Sequence, residues 1–201
     1  MHPIARHLAL LSVALLGSTA ALAQSFPTKP IRAVVPFAAG SATDQIGRAF
    51  AEKMSATLGQ PVIVDNKPGA SGMLGAAEVA KAAPDGYTIL VGTNSTNAAL
   101  KSLMKQLPYD QDKAFAPVAY MGSVPLIMAV HPDVPAKNFR EFVDYVKKHP
   151  GELNYGSAGN ASAGHLAMEY LKLVTGMYIT HIPYRGTGPQ LTDLLAGRTQ
   201  A

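Results

Sequence analysis

The chain has 201 residues, of which 48% are hydrophobic and 15% charged, and its formal net charge is +4. It contains no cysteine, which excludes a disulfide framework, a thiol nucleophile and a thiolate metal site. The slight positive charge is not gathered into basic runs interleaved with aromatic residues, so nucleic acid is not an expected partner.

The N-terminus has the layout of a secretory signal peptide. Arg6 precedes the apolar run Leu8–Leu16, and Ala21-Leu22-Ala23 places small residues two apart. Residues 1–23 are therefore predicted to be a signal peptide that is cleaved after Ala23. The apolar run is shorter than the about 20 residues that span a bilayer, so the mature chain is expected to be exported and not membrane-embedded. The alternatives are a buried N-terminal helix and an uncleaved anchor.

The mature chain opens with a strand that runs into a loop of small residues and then into a helix. The strand is predicted at 31–36 and the loop at 37–44, and the helix, with Phe50 on its apolar face, ends before Gly59. After this unit the chain keeps alternating between the two kinds of element. In chain order we expect a strand at 61–65, a helix at 73–83, a strand at 87–91, a polar loop at 92–97 followed by a short helix, a strand-like segment at 116–121 and an apolar run at 124–130.

A second strand, small-residue loop and helix lies further along the chain. The capping pair Asn138 and Glu141 begins a preceding helix that ends near residue 149. The second unit then has its strand at 153–156 and its loop at 157–164, and a strand at 178–183 and a helix at 189–196 follow. This alternation predicts an α/β fold with mostly parallel sheets. Since each part has its own strand–loop–helix start, we expect the chain to divide near Val124.

The loops at 37–44, 93–97 and 157–164 are predicted to bind a small carboxylate. They follow strands, and ligands of parallel sheets bind beyond the carboxyl ends of the strands. Small side chains let a ligand approach the backbone, and the N–H groups of a helix's first turn attract anions. The candidate ligand-binding residues are Phe37, Ala39, Gly40, Ser41, Ala42, Thr43, Asp44, Thr93, Asn94, Ser157, Ala158, Gly159, Asn160, Ala161, Ser162 and His165.

Several of these side chains have more than one interpretation. Asp44 could act as a general base, although a carboxylate at the start of a helix usually caps its N–H groups. Phe37 could lie in the core or over the ligand. His165 could join Asp44 at a metal site, but the spacing has no metal pattern, and ordering of its own loop is favoured. The loop cations Lys67 and Arg185 could reach an anion, although such cations are usually solvated.

The enzymatic alternatives lack their motifs. Gly156-Ser157-Ala158-Gly159 is out of frame for a nucleophile elbow, because Tyr155 stands where the first glycine is needed. Ser41 is also off that pattern. The sequence has neither a phosphate-binding nor a dinucleotide-binding glycine motif. A non-enzymatic chain without cofactor or metal is therefore predicted, with an exported serine hydrolase using Ser41 or Ser157 as the alternative.

In many segments the mature chain resembles the substrate-binding proteins of tripartite tricarboxylate transporters, the Bug family. The resemblance covers the whole mature chain in order. The matching segments are Ser25–Arg32, Val35–Phe37, Gly40, Thr43–Asp44, Gly59–Ala70, Ala83–Thr88, Phe115–Val118, Leu153–Gly159, His165–Leu166, Pro183–Tyr184 and Leu191–Gly197. Ser41 and Ala161 stand where the family commonly has glycine.

The resemblance implies a periplasmic-binding-protein type II-like fold of two lobes. Residues 24–124 would form the first lobe and residues 125–201 an incomplete second lobe, since family members continue past Ala201. Such a protein closes on a small carboxylate in the periplasm and delivers it to membrane permease subunits. The resemblance implies contacts through main-chain N–H groups and bridging waters in loops 37–44 and 157–162, and a monomer when full length. An exported sensor that presents the same ligand to a membrane kinase is an alternative.

The end of the sequence leads to one further expectation. A helix with Leu191, Leu194 and Leu195 on its apolar face is not followed by the strand that would cover it. We therefore expect these residues to be a fragment of a longer reading frame that exposes apolar surface and binds carboxylate weakly. The alternative is a naturally short protein stabilised by dimerisation.

Overall fold

The structure, a computed structural model, describes residues 25–201. The predicted signal peptide and its cleavage point after Ala23 lie outside the described residues. Within residues 25–201, no helix is both long and apolar enough to cross a membrane.

A parallel three-stranded sheet forms the first half of the described chain. Its strands are β1 (Ile31–Val35), β2 (Val62–Asn66) and β3 (Thr88–Leu90), in the order β2-β1-β3. The central strand β1 pairs in register with both neighbours, so that Ile31 lies opposite Val62 and Arg32 opposite Thr88. This strand is almost wholly buried because it has a neighbour on each side and helices packed against it.

Helix α1 (Ala42–Leu58) connects β1 to β2 and packs closely on the sheet. A side-chain carbon placed on Gly47 would lie 3.1 Å from Val35 Cγ2, which shows how near the helix lies to β1. Ala51 is buried one turn further on, whereas Phe50 is 40% exposed. The predicted apolar face was therefore wrong at Phe50, because the small residues face the sheet and leave no space for a ring.

The middle of the chain is built from short elements. A 3₁₀ turn at Ala70–Gly72 leads into α2 (Met73–Ala80), and a π-helical turn at Ser95–Ala99 leads into α3 (Leu100–Leu103). Helix α2 ends three residues before the predicted end at Ala83. Pro84 explains the difference, because in a continued helix its ring would clash with the carbonyl of Ala80, and Ala83 before it is disfavoured in helical conformation.

The strand-like segment predicted at 116–121 is not a strand, and the apolar run at 124–130 has no regular structure either. Val118 is 87% exposed, Tyr120 82% and Ile127 86%. Pro117 and Pro125 each remove a backbone donor, and within residues 25–201 no neighbouring strand pairs with these residues. The segments are apolar as the sequence indicates, but a strand also needs a partner.

The second half of the described chain has a parallel pair of strands, β4 (Asn154–Ser157) and β5 (Thr180–Pro183). Its helices are α4 (Phe139–Lys148), α5 (Ala163–Thr175) and α6 (Thr187–Leu195). The capping pair predicted for α4 is confirmed, since the Asn138 side chain accepts from Glu141 N at 3.0 Å. The buried core of this half comprises Val134, Phe142, Val143, Val146, Leu153, Tyr155, Met168, Met177, Ile179 and Ala201.

Residues 200–201 lie along β4. Gln200 N donates to Asn154 O at 2.9 Å, and Gly156 N donates to Ala201 O at 2.8 Å. His131 N in turn donates to Gln200 O. The apolar residues of α6 are unevenly covered, because Leu194 is buried while Leu191 is 54% and Leu195 73% exposed. The predicted α/β fold with parallel sheets is thus confirmed.

Candidate functional site

The carboxyl ends of the two sheets meet at the candidate site. We call residues 37–44, which link β1 to α1 and include the first residues of that helix, the first loop. Residues 157–164, which run from the last residue of β4 into the start of α5, are the second loop. Ala38 N in the first loop donates to Arg185 O at 2.9 Å, while Tyr184 N donates to Ser157 O at 2.9 Å. Both loops therefore adjoin the segment 184–188, which links β5 to α6 and includes the first two residues of that helix, and which we call the third loop.

Two side-chain hydrogen bonds shape the first loop, one to the capping serine Ser41 and one to the carboxylate of Asp44. Ser41 Oγ accepts from Asp44 N at 3.3 Å, and Asp44 Oδ2 accepts from Gly40 N at 2.9 Å. Both side chains are buried. Gly40 has φ +78, a conformation that glycine adopts without strain. The two hydrogen bonds fold the loop back on the first turn of α1.

The carboxylate of Asp44 is fully engaged by its neighbours. It accepts from Arg48 Nε at 3.0 Å and from Asn66 Nδ2 at 2.8 Å. Burial alone would raise the pKa of Asp44, but the hydrogen bonds from Arg48, Gly40 N and Asn66 outweigh it and hold that pKa below its usual value. An ionised carboxylate with this many donors is suited to ordering the loop and poorly suited to act as a general base.

The hydrogen bonds of the first loop leave some amides without a protein acceptor. Ala38 N, Gly40 N and Ala42 N are bound by Arg185 O, Asp44 Oδ2 and Thr187 Oγ1. The amides of Ala39 and Thr43 have no protein partner within residues 25–201. Thr43 lies in the first turn of α1, where unsatisfied N–H groups and the helix dipole favour an anion.

The second loop repeats this arrangement with different side chains. Ser162 Oγ accepts from His165 N at 3.3 Å, and Ala161 N donates to His165 Nδ1 at 3.2 Å. Ala161 has φ +62, which is rare outside glycine. In the part of the chain that the structure describes, four amides of this loop lack a protein acceptor, those of Ala158, Asn160, Ala163 and Gly164.

Ser157 is in contact with a histidine, but not as an exposed nucleophile. Its Oγ lies 2.6 Å from His181 Nε2, and it also bonds the backbone of Gly159, accepting from N and donating to O. Ser157 is only 1% exposed. These contacts fit a hydroxyl that holds its own turn in place better than the hydrolase interpretation.

His181 lies in an aromatic stack behind the second loop. Its ring centroid is 4.3 Å from that of His165 and 4.8 Å from that of Tyr155. Burial and then the nearby His165 lower the pKa of His181 to about 4. The imidazole is therefore neutral at neutral pH. The stack is connected to the second loop through His165, whose Nδ1 accepts from Ala161 N.

The remaining predicted residues differ in their burial. Phe37 is only 6% exposed and its Cζ lies 3.4 Å from the position of a side-chain carbon on Gly72, so it belongs to the core. Thr93 N donates to Thr96 Oγ1 at 2.9 Å, and Thr93 Oγ1 is buried without a partner in residues 25–201. Asn94 is exposed.

The structure does not support the cation and metal alternatives. Lys67 Nζ lies 3.6 Å from Asp65, so this cation has an acidic neighbour. The Arg185 side chain is exposed, and the backbone oxygen of this residue contacts the first loop. Nowhere in residues 25–201 do three His, Asp or Glu side chains come together as a metal site would need.

Sequence reasoning missed the third loop. Gly186 has φ +130, and a side-chain carbon there would lie 3.1 Å from Ser41 Cβ. Both the backbone conformation and the close contact therefore favour glycine at this position. The available signal was the one used for the other loops, because Gly186-Thr187-Gly188 also follows a strand and begins a helix. The segment 69–72 was also missed. Its Ser71 Oγ lies 3.1 Å from the position of a side-chain carbon on Gly159.

Comparison with known proteins identifies the family. A family model described as "Tripartite tricarboxylate transporter family receptor" matches residues 46–201. The chain belongs to this receptor family. Among its relatives, a UPF0065 protein of Bordetella pertussis is 43% identical over 182 residues, covering 90% of this chain and 56% of the relative. The protein BugT of the same species is 38% identical over 176 residues, covering 87% and 54%.

Solved structures of longer chains have the same fold. R. palustris Rpa4515 with adipate matches with a TM-score of 0.85 and 36% identity, covering 87% of this chain and 58% of that one. MatC (Rpa3494) from Rhodopseudomonas palustris with bound malate matches with a TM-score of 0.82 and 38% identity, covering 87% and 60%. The predicted resemblance and the periplasmic-binding-protein fold are thereby confirmed. The chain spans about half the length of the curated relatives it matches.

Proposed function

We propose that this receptor-family chain is the carboxylate-binding part of a periplasmic solute-binding protein. It would capture a small carboxylate between a first lobe, residues 24–124, and a second lobe, residues 125–201. The observation that carries the proposal is the pair of capped loops that both adjoin the third loop. Each loop has amides without a protein acceptor at the first turn of a helix, those of Thr43 on one side and of Ala163 and Gly164 on the other, within residues 25–201.

Binding through amides is strong enough for a transport receptor. Hydrogen bonds to a charged group contribute about 1.5–3 kcal/mol each. Three or four of them would support the roughly −8 kcal/mol of a micromolar site after the entropy of binding is met. The proposed donors are the main-chain N–H groups of Ala39, Thr43, Ala158, Asn160 and the first turn of α5.

The ligand class is proposed to be small dicarboxylates. Main-chain amides fix one carboxylate end and leave the rest of the cleft to select the remainder of the molecule. The adipate and malate of the two Rhodopseudomonas palustris structures are dicarboxylates of different length, so both belong in the first screen of this chain.

A thermal-shift and calorimetry screen tests the proposal. Malate, adipate, citrate, benzoate and inorganic phosphate would each be added to the exported protein. A ligand at a hundred times its dissociation constant adds about 2.7 kcal/mol of stability, which a melting curve detects. Binding of phosphate alone, or of none of these compounds, would contradict a carboxylate receptor. Ester hydrolysis that Ser157→Ala or Ser41→Ala abolishes would favour the hydrolase alternative.

The compartment and the partner are part of the same proposal. We propose export to the periplasm with cleavage after Ala23 and delivery of the ligand to the membrane permease subunits of a tripartite transporter. N-terminal sequencing of the exported protein is then expected to begin at Gln24, and a start at Met1 would contradict cleavage. Cross-linking to membranes is expected to recover permease subunits, whereas recovery of a kinase would favour the sensor alternative.

A further inference from the structure

Three hydrogen bonds join the first half of the described chain to the second half beside the first and second loops. Ala38 N donates to Arg185 O at 2.9 Å, and Ala42 N donates to Thr187 Oγ1 at 3.0 Å. On the other side, Ser95 Oγ donates to Ala161 O at 3.2 Å. The first of these bonds is between main-chain atoms alone, so only the Thr187 and Ser95 side chains can change these contacts without changing the backbone.

The two hydroxyls bond backbone groups at the sides of the proposed site. Thr187 accepts from the first residue of α1, next to the amide of Thr43 that has no protein acceptor. Ser95 donates to the carbonyl of Ala161, a residue between two free amides of the second loop. Each hydroxyl thus bonds a loop from the opposite half of the structure. Neither of these two bonds uses an amide that is proposed to bind the ligand.

The backbone around these contacts is built for close approach. Gly186, with φ +130, brings the third loop within 3.1 Å of Ser41 when measured from the position of a side-chain carbon. At Gly188, two residues further on, a side-chain carbon would lie 3.5 Å from Gly40 O. Because a larger residue at position 186 would separate the loops, the glycine allows the Thr187 hydroxyl to reach α1.

We propose that Thr187 and Ser95 are clamp residues, which set the affinity for the ligand by holding the two lobes closed without touching the ligand. This inference rests on the proposed function. A contact that forms only in the closed state raises the population of that state before ligand arrives, and apparent affinity rises in proportion to the binding-competent fraction. Loss of a clamp hydroxyl therefore weakens binding, because it lowers the fraction of protein in that state.

The key variants are Thr187→Val, which keeps the shape and removes the acceptor, and Thr187→Ser, which keeps the hydroxyl. Thr187 is exposed, so neither change disturbs the core. In the full-length protein, Thr187→Val is expected to weaken malate or adipate binding roughly three- to tenfold, as one hydrogen bond allows. Thr187→Ser is expected to bind like the unaltered protein.

A distance measurement without ligand separates this inference from the proposed function. The sequence has no cysteine, so Lys53→Cys and Lys148→Cys, both at exposed positions, create unique spin-label sites, one in each proposed lobe. In ligand-free protein, Thr187→Val and Ser95→Ala are each expected to move the distance distribution towards longer, open separations. Failure of the unaltered protein to bind any carboxylate would contradict the proposed function. The spin-label distances in ligand-free protein would still show whether Thr187 and Ser95 hold the two lobes together.

Two results would overturn the clamp. One is a Thr187→Val protein that binds the ligand as tightly as the unaltered protein, or more tightly, since the hydroxyl would then be neutral or would compete with the ligand for Ala42 N. The other is an unchanged label distance in both variants. Because Ser95 is buried, its variant is compared only after its melting curve shows that it is folded.

Discussion

The first and second loops fold their backbones in the same way with different side chains. In each loop a serine caps the helix, and the residue three positions later returns to bind an amide of the loop. That residue is Asp44 in the first loop and His165 in the second. The two capping hydrogen bonds have the same length, 3.3 Å. The pattern resembles the capping box, in which two side chains satisfy two orphan donors, but here the second bond goes to the amide one residue before the cap.

The two loops differ in how the returning side chain is supported. Asp44 is an ionised, buried carboxylate held by Arg48 and Asn66. His165 stacks on His181 with the ring centroids 4.3 Å apart. The first loop therefore depends on charge and on pH, and the second on aromatic packing. Two loops with a similar backbone conformation can therefore be stabilised by different side-chain interactions.

The largest effect is expected from Gly40→Val. The new side chain would stand in the first loop where the ligand must approach the backbone. There is open space around it, so the stability loss is limited to the cost of φ +78 for a branched residue, while binding falls on the order of a hundredfold because about two charge-assisted hydrogen bonds are lost. Calorimetry with malate or adipate measures this.

Gly59→Val is the matched control for that change. Gly59 ends the same helix with φ +66, and a side-chain carbon there also meets nothing within 4 Å. Its substitution has a similar backbone cost far along α1 from the first loop. Unaltered affinity in Gly40→Val, or an equal loss of affinity in Gly59→Val, would show that the first loop is not a binding element.

The sequence predicted those features that depend on local patterns. Small-residue loops between strands and helices revealed the first and second loops, and the capping pair Asn138 and Glu141 was found from residue type and spacing alone. The third loop has the same pattern and could have been found in the same way. The strand predicted at 116–121 was wrong because an apolar segment does not show whether a partner strand lies beside it.

The contact between Ser157 and His181 could not have been predicted, because it depends on register. Tyr155 lies opposite His181 across the β4–β5 pair, and Ser157 is two residues further along β4 on the same face. A shift of one residue would turn both side chains away. The positive φ of Ala161 was equally hidden, since alanine carries no sequence signal for that conformation.

Asp44→Asn is expected to give the next largest effect, on stability. It removes the charge that Arg48, Asn66 and Gly40 N bind, at an expected cost of about 2 kcal/mol in the free energy of unfolding at pH 7. Because the pKa of Asp44 is lowered in the folded protein, its stabilisation is present above the unfolded value of about 4 and lost as the pH falls through the folded value.

Urea denaturation at pH 7 and at pH 3 tests this dependence. The difference between the unaltered protein and Asp44→Asn is expected to shrink at the lower pH. A difference that stays constant between the two conditions would mean that the charge of Asp44 does not stabilise the first loop, and the contrast with the second loop would disappear.

His165→Ala is expected to cost less, about 1 kcal/mol in the free energy of unfolding, because the bond from Ala161 N to an imidazole nitrogen is weaker than one to a carboxylate. His165→Asn is the matched variant, since its side-chain oxygen occupies the same position along the side chain as Nδ1. It is expected to recover most of the loss. If it recovers none, stacking on His181 rather than the hydrogen bond stabilises the second loop.

The smallest effects are expected from the capping serines, and they test the similarity of the loops rather than their difference. Ser41→Ala and Ser162→Ala each remove one hydrogen bond to the third residue of a helix, for which a loss of about 0.5–1 kcal/mol is typical. Both hydroxyls are buried and both bonds are 3.3 Å long, so the two losses are expected to be equal. Urea denaturation of the two variants at one pH measures them side by side. A loss that is several times larger at Ser41 would mean that the hydrogen bonds of Asp44 depend on the Ser41 cap. The two loops would then have similar capping geometry but different capping contributions to the free energy of unfolding.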